Sequence, residues 1–308
     1  MTFREELIEK FWVAGKRRDD ARIATLPPTY GVTEICDIAY LPGGHQHHLL
    51  DIYMPEGTKA PLPVIVDIHG GGFTYGDKEL NKPYNLYLAS QGFVVFNMSY
   101  RLAPEVRFPD QVRDISAALR WIAANGADYP CDMDNVFVTG DSAGGMFAML
   151  LPLADQSPAL REIYGIEPSG LNIRAVGLVS GAFNLHKGPL QLALTEVVFG
   201  PGYKTQPVYQ CLDMRSIPDL KKLPPAYMVT SKDDFVRRHS IEFAQILTER
   251  GVEHKLHDWP AVEGKKLEHV FSVLYPTMQE SVITTGEMIE FFLRRRVIGK
   301  SNEKAVVA

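Results

Sequence analysis

Three short apolar runs constrain this chain more than any other feature: Val64-Ile65-Val66-Asp67-Ile68, Phe93 to Met98, and Asn135 to Thr139. Each is too short for a helix and rich in β-branched or aromatic residues, the pattern of a strand buried on both faces. Between them, Tyr84 to Ser90 and Gln111 to Ala124 carry apolar residues at helical spacing, and Ser142 to Leu150 opens another helix. Strand, helix, strand, helix, strand, helix across residues 63–155 predicts a mostly parallel sheet with helices on both faces, an α/β fold. Val176 to Ser180, Ala226 to Thr230 and Glu253 to His257 extend the sheet, and Arg237 to Arg250 reads as a helix closed by Gly251. Ahead of the repeat, Glu34 to Leu41 and His48 to Met54 flank the turn signal Pro42-Gly43-Gly44 and predict an antiparallel pair.

The ends are less regular. Phe3 to Arg18 predicts an amphipathic helix with Phe3, Leu7, Phe11 and Val13 among its apolar positions, and Pro27-Pro28 ends any helix begun nearby. Val270 to Leu274 opens a helix that Pro276 ends or bends, and Ser281 to Gly286 is too short and mixed to assign. Glu287 to Arg296 predicts a closing helix that buries Met288, Phe291 and Phe292.

Two stretches fall outside the repeating unit: the N-terminal helical segment, residues 1–33, and residues 186–223, rich in Pro, Gly and aromatic residues. Insertions beyond the carboxyl ends of strands lie over the binding crevice of an open α/β sheet, and connections this long are seldom idle. Both stretches are expected to form a small cap. Residues 34–185 and 224–308 are then the two parts of the α/β core, the second ending in the C-terminal helix.

Composition excludes several functions. A net charge of -5 makes no electrostatic case for nucleic acid or an anionic membrane. The basic run Arg294-Arg295-Arg296 reads as a solvated helix end, where cations suit the dipole. Cys36, Cys131 and Cys211 have neither metal-type nor disulfide spacing and read as buried small apolar residues. His45, His47 and His48 lack a carboxylate-plus-histidine helix signature and read as surface histidines. No dinucleotide, phosphate-loop or metal motif is present, so no cofactor and no metal are expected. The N-terminus lacks a signal-peptide pattern and no apolar run is long enough to span a bilayer, which makes a cytoplasmic enzyme the expectation.

The chemistry sits at the ends of the predicted strands. Gly140-Asp141-Ser142-Ala143-Gly144 matches G-x-S-x-G between a strand and a helix, the setting of a nucleophile elbow. His69-Gly70-Gly71-Gly72-Phe73 follows the strand at Val64 to Ile68 and is an H-G-G-G loop. Its Gly71 and Gly72 N–H groups, with that of Ala143, are the expected oxyanion donors, while His69 is expected to anchor the loop by hydrogen bonds. An acid is sought at the end of a late strand, where Asp233 and Asp234 both qualify. For the base, His239 falls in a helix start and His254 and His257 in a strand pattern. His269 follows the last core strand and is best placed.

With these pieces in order, the sequence resembles the hormone-sensitive-lipase-like branch of the α/β-hydrolases, the bacterial short-chain carboxylesterases. The resemblance rests on His69-Gly70-Gly71-Gly72, Tyr100-Arg101-Leu102-Ala103-Pro104-Glu105, Phe108-Pro109, Asp114 and Gly140-Asp141-Ser142-Ala143-Gly144-Gly145, over about residues 48–275. It implies a triad of Ser142, Asp234 and His269: Asp234-Phe235-Val236 fits the family's acid loop, and His269-Val270-Phe271 its histidine motif. Two departures stand out: Arg237-Arg238 where a second acidic residue is usual, and a long, charged loop from Trp259 to Glu268. The resemblance also implies a cap from the two odd stretches, and a small-molecule ester and water as reaction partners. Homodimers are common in the family; nothing in this sequence specifies one.

The same machinery serves cleavage of aryl formamides and of sugar or feruloyl esters, which are the alternative activities. A non-catalytic small-molecule receptor on a hydrolase scaffold is the alternative outside enzymes. A retired site is expected to lack its nucleophile or histidine, and this chain keeps Ser142, Asp234 and His269.

Overall fold

The computed structural model describes residues 3–185 and 195–298. The strands are β1 (Val32–Ala39), β2 (Leu49–Pro55), β3 (Leu62–Ile68), β4 (Val94–Met98), β5 (Cys131–Asp141), β6 (Ile173–Val179), β7 (Ala226–Ser231) and β8 (His254–Trp259). They form one eight-stranded sheet in the order β1-β2-β4-β3-β5-β6-β7-β8. β1 pairs antiparallel with β2 and β2 with β4, and the remaining pairs are parallel. This is the α/β-hydrolase fold, with the predicted antiparallel pair at one edge.

The helices are α1 (Phe3–Ile23), α2 (Lys78–Ser90), α3 (Phe108–Asn125), α4 (Ala143–Gln156), α5 (Pro158–Tyr164), α6 (described over residues 195–199), α7 (Arg237–Glu249), α8 (Phe271–Leu274) and α9 (Gln279–Leu293). Successive strand residues serve opposite faces. Val64, Val66 and Ile68 of β3 join Phe108, Phe147, Tyr164 and Phe243 in one core. Ile65, between them, joins Tyr84, Phe271, Met288 and Phe292 in the other.

Several elements differ from the sequence expectation, each for a local reason. α2 begins at Lys78, six residues before the predicted Tyr84, because Asp77 caps it by accepting from the Glu79 N–H at 3.0 Å. Pro83, its sixth residue, lies in the second turn and has no N–H to give the Glu79 carbonyl. α5 escaped the periodicity reading, yet its ends carry ordinary signals: Ser157 accepts from Leu160 N–H at 3.3 Å, Pro158 is the first residue, and Gly165 closes the helix at φ +63°.

At the other end, α9 takes in the unassigned residues 281–286 and stops before the arginine run. Its inner face there is polar: Glu280, Ser281, Thr284 and Thr285 are all buried, which hides the apolar period. The Thr284 hydroxyl donates to the Glu280 carbonyl at 2.7 Å. The arginines are paired rather than merely solvated. Arg294 meets Glu290, Arg295 lies over the Phe291 ring and meets Glu253, and Arg296 reaches Asp132 at 3.6 Å.

Two other expectations need correcting. Cys211 is buried, but Cys131 is half-buried and Cys36 exposed on the edge strand β1. His48 is buried rather than on the surface, its ring 3.3 Å from Asp114. No group of His, Cys, Asp or Glu among the described residues is arranged to hold a metal ion.

Of the insertion, residues 186–194 lie outside the described residues. The remainder packs on the core through Phe199, Tyr203, Leu212 and Met214, with the Phe199 and Phe108 rings 4.9 Å apart. In α1, Phe3, Leu7 and Phe11 lie outside the described side chains, and Val13 is exposed rather than part of an inner face.

Phe292 anchors the closing helix: it is fully buried and its ring stacks on Phe137 at 4.7 Å. Phe292→Ala is expected to lower unfolding free energy by about 3–5 kcal/mol, read from urea midpoints at constant slope.

Candidate active site

The site is built at the carboxyl ends of β3, β5 and β7. β5 runs to Asp141, and Ser142 follows with φ 52° and ψ −114° at the start of α4. That backbone is strained for a residue with a side chain. It is fixed by the Ser142 N–H donating to the Val179 carbonyl at 2.8 Å and the Ser142 carbonyl accepting from Ala182 at 2.9 Å. Gly144 is obligatory here, since a Cβ on it would lie 1.9 Å from the Ile68 carbonyl oxygen. The Ala143 N–H opens α4 and belongs to its unpaired first turn.

His269 meets both other predicted triad members. Its Nε2 lies 2.9 Å from Ser142 Oγ and its Nδ1 2.7 Å from Asp234 Oδ1. The hydroxyl donates to Nε2 when Nδ1–H donates to the carboxylate. Asp234 Oδ1 also accepts from Val236 N–H at 3.0 Å, and Oδ2 from the Thr230 hydroxyl at 2.9 Å. Burial pushes the Asp234 carboxyl up, but the His269 hydrogen bond and charge, the Val236 amide and Ser180 outweigh it and hold the group below the usual carboxylate range.

Asp233, the other acid candidate, does not face His269. Its Oδ2 accepts from the Leu267 N–H at 3.2 Å, while the Ser231 hydroxyl donates to the Leu267 carbonyl. Leu267 is thus held from both sides two residues before His269. The other histidines lie elsewhere. His254 meets the Val252 carbonyl, and His257 meets Glu287 and stacks on Trp259. His239 reaches the site's cavity from α7, with the Asn184 N–H 3.5 Å from its Nδ1.

The glycine loop follows β3. Gly71, Gly72 and Gly76 have φ of +105°, +59° and +99°, and Phe73 shares the left-handed region at +67°. The His69 side chain is buried: Nδ1 meets the Gly70 carbonyl at 2.8 Å and the ring stacks on Tyr100. Burial pushes its pKa down to about 4, so it sits in the loop as a neutral anchor. Beneath the loop, Asp141 Oδ1 accepts from Gly70 N–H at 2.9 Å and from Asn81 Nδ2 at 2.8 Å. Asn81 Nδ2 also reaches Asp67 Oδ2 at 3.0 Å, and Asn85 Nδ2 donates to the same oxygen at 2.8 Å. Sequence reading missed this network. Its signal was Asp67, a carboxylate inside an apolar strand, and Asn81 and Asn85, one turn apart on α2.

A cavity of about 350 Å³ opens over Ser142, near the small end of the usual range for small-molecule sites. Gly71, Gly72, Ser142 and His269 line its floor, and Leu185, Val198, Phe199, Val273 and Leu274 make its walls mostly apolar. Trp12 of α1 and Thr195, Val198 and Phe199 of α6 contribute from the two segments expected to cap it.

A family model for the alpha/beta hydrolase fold matches residues 65–271 of this chain. Carboxylesterase NlhH of Mycobacterium tuberculosis is 29% identical over 218 residues, 68% of each chain. Among solved structures, esterase B of Lactobacillus rhamnosis is 30% identical and superposes with a TM-score of 0.88 over 94% of each chain. The same esterase with a tributyrin phosphonate is 31% identical, again with a TM-score of 0.88 and 94% of each chain. This chain therefore belongs to the hormone-sensitive-lipase-like carboxylesterase family of the α/β-hydrolases.

The network under the glycine loop makes a pH-dependent stability. Burial first, then repulsion from Asp141, push the Asp67 carboxyl up to about 7 against the pull of the Asn81 and Asn85 amides. An unfolded aspartate ionises near about 3.9. From about pH 4 to about pH 7 the folded state holds a proton the unfolded chain has lost, so stability falls as pH rises through that window. Asp67→Asn keeps one oxygen for the two amides and removes the proton. Its stability relative to the parent is expected to climb over that window and level off above it, as urea unfolding at stepped pH will record. Parallel curves would contradict a raised carboxyl.

Proposed function

We propose that the chain hydrolyses short-chain acyl esters through an acyl-enzyme on Ser142, with His269 as base and acid and Asp234 as its orienting carboxylate. The observation that carries this reading is the hydrogen-bonded line Ser142 Oγ, His269, Asp234, at 2.9 and 2.7 Å, set at a strand-to-helix elbow. A serine hydroxyl is a weak nucleophile until a neighbouring imidazole takes its proton. Here Nε2 accepts that proton as Oγ attacks the acyl carbon, and the Asp234 carboxylate stabilises the imidazolium that results. The Gly71, Gly72 and Ala143 N–H groups donate to the oxyanion. As the tetrahedral intermediate collapses, His269 returns the proton to the leaving alcohol. Water then attacks the acyl-enzyme under the same base, and the carboxylic acid leaves.

Short acyl chains suit a small, mostly apolar cavity. The family supports ester hydrolysis as the reaction, and a relative, esterase B, is inhibited by a tributyrin phosphonate. Residues of α1 and 195–199, from the two segments assigned to the cap, supply part of the cavity wall, so the cap is the element that sets acyl and alcohol selectivity.

Ser142→Ala is expected to abolish both esterase turnover and covalent labelling by an organophosphonate; labelling that survives would sink the nucleophile assignment. His269→Ala and Asp234→Asn are each expected to lower kcat by about 10³-fold or more, and Asp233→Asn by less than about tenfold. Equal losses from the two aspartates would refute Asp234 as the orienting acid. In a p-nitrophenyl ester series, kcat/KM is expected to favour acyl chains of about two to four carbons over about ten.

A further inference from the structure

We infer that Trp12 of α1 is a positioning residue for ester hydrolysis, gripping the outer side of the glycine loop so that the Gly72 N–H is aimed at the oxyanion. The inference rests on the assignment of Gly71 and Gly72 as oxyanion donors.

The loop needs outside support. Gly71, Gly72, Phe73 and Gly76 all lie at positive φ, and for Phe73 that backbone is strained. Such a conformation persists where neighbours over-determine it. The inner side is tied to the core. Gly70 N–H donates to Asp141, and the Phe73 carbonyl accepts from Ala103 N–H at 2.9 Å and from Gln111 Nε2 at 2.7 Å.

The outer side, residues 72, 74 and 75, meets α1. The Trp12 indole N–H donates to Thr74 Oγ1 at 2.6 Å. Its ring stacks on Tyr75 with centroids 4.9 Å apart and planes 8° from parallel. Its edge lies against Gly72, where a Cβ would be 3.5 Å from Trp12 Cζ2. Two turns along the same face of α1, Asp19 accepts from the Tyr75 hydroxyl at 2.8 Å. One turn further, Arg22 donates to the Leu274 carbonyl at 2.7 Å, in the helix that follows His269. One face of α1 therefore bridges the glycine loop and the histidine segment.

This arrangement predicts more than a cavity wall. A wall residue changes how the substrate binds. A residue that aims an oxyanion donor acts on the transition state, because that bond strengthens as negative charge develops on the carbonyl oxygen. Loosening the loop is therefore expected to lower kcat while leaving KM nearly unchanged.

The test uses the full chain with Trp12→Ala, Trp12→Phe, Thr74→Val and the double Trp12→Phe/Thr74→Val. Each is assayed on p-nitrophenyl acetate and with two inhibitors: a trifluoromethyl ketone, whose Ser142 adduct carries an oxyanion, and the unfluorinated methyl ketone. Trp12→Ala is expected to lower kcat about tenfold with KM within about twofold, and to weaken trifluoromethyl ketone inhibition by the same factor. Methyl ketone binding is expected to hold. Trp12→Phe and Thr74→Val each break the same hydrogen bond, so the double variant is expected to lose no more than the larger single loss. The two conservative variants decide the matter if Trp12→Ala does not fold. Unchanged kcat, a rise in KM alone, or a kcat loss without weaker trifluoromethyl ketone inhibition would overturn the inference. Should the parent protein bind both ketones equally, the oxyanion-donor assignment itself fails and the inference with it.

Discussion

The close approach of α4 to the end of β3 is the contact on which the site depends. Ile68 and Gly140 are register partners in neighbouring parallel strands, so β3 and β5 end side by side. The chain must then turn from β5 into a helix beside the Ile68 and His69 carbonyls. A Cβ on Gly144 would sit 1.9 and 2.6 Å from those two oxygens, and one on Gly140 would sit 2.4 Å from the Gly144 carbonyl. Only bare backbone lets the elbow close. Its closure brings Ser142 and the first turn of α4 next to the loop that leaves β3, so Ser142 and the glycine loop share one corner of the sheet. Tyr100 braces that corner by donating to the His69 carbonyl at 2.9 Å.

Holding the corner open to substrate requires polar groups under it, and these are costly to bury unless paired. Asp141 is the central one. Its carboxylate reaches up to Gly70 N–H and across to Asn81, and Asn81 bridges to Asp67. Burial pushes the Asp141 carboxyl up as well. Two acids this close, both deep in the sheet, work against each other's ionisation. The network accordingly trades stability near neutral pH for a fixed glycine loop. That exchange is common where a site must be rigid before substrate arrives.

The sheet was legible in the sequence because its strands are continuous apolar runs, and the elbow and glycine loop because glycine is required at fixed spacing. Elements whose buried face is polar were not. α9 hides its first half behind Glu280, Ser281, Thr284 and Thr285, and His48 is buried beside Asp114 where a histidine cluster without a metal signature suggests a surface. Asp233 and Asp234 both qualify by position, and only the family's acid-loop pattern favours Asp234; the turn after β7 gives the physical reason, since one faces Leu267 and the other His269. Trp12 was invisible for another reason. Thr74 and Tyr75, which it meets in the loop, are more than sixty positions away, and no local period records a contact of that range.

The departures from the family pattern fall outside this geometry. Arg237, in place of a second acid, forms a two-point ion pair with Asp258 of β8, at 2.8 and 2.6 Å. The long loop after Trp259 is pinned by Lys265 to Glu280 at 2.7 Å and by the two bonds on Leu267. Because Leu267 is held at both its N–H and its carbonyl, loop length upstream is decoupled from the position of His269. A loop of different length can vary its exposed residues while the imidazole keeps its place. The cavity wall has no such insulation, since Val198 and Phe199 reach it from the segment inserted after β6. Sequence change in that segment can therefore reshape the cavity wall while the line from Ser142 through His269 to Asp234 stays in place.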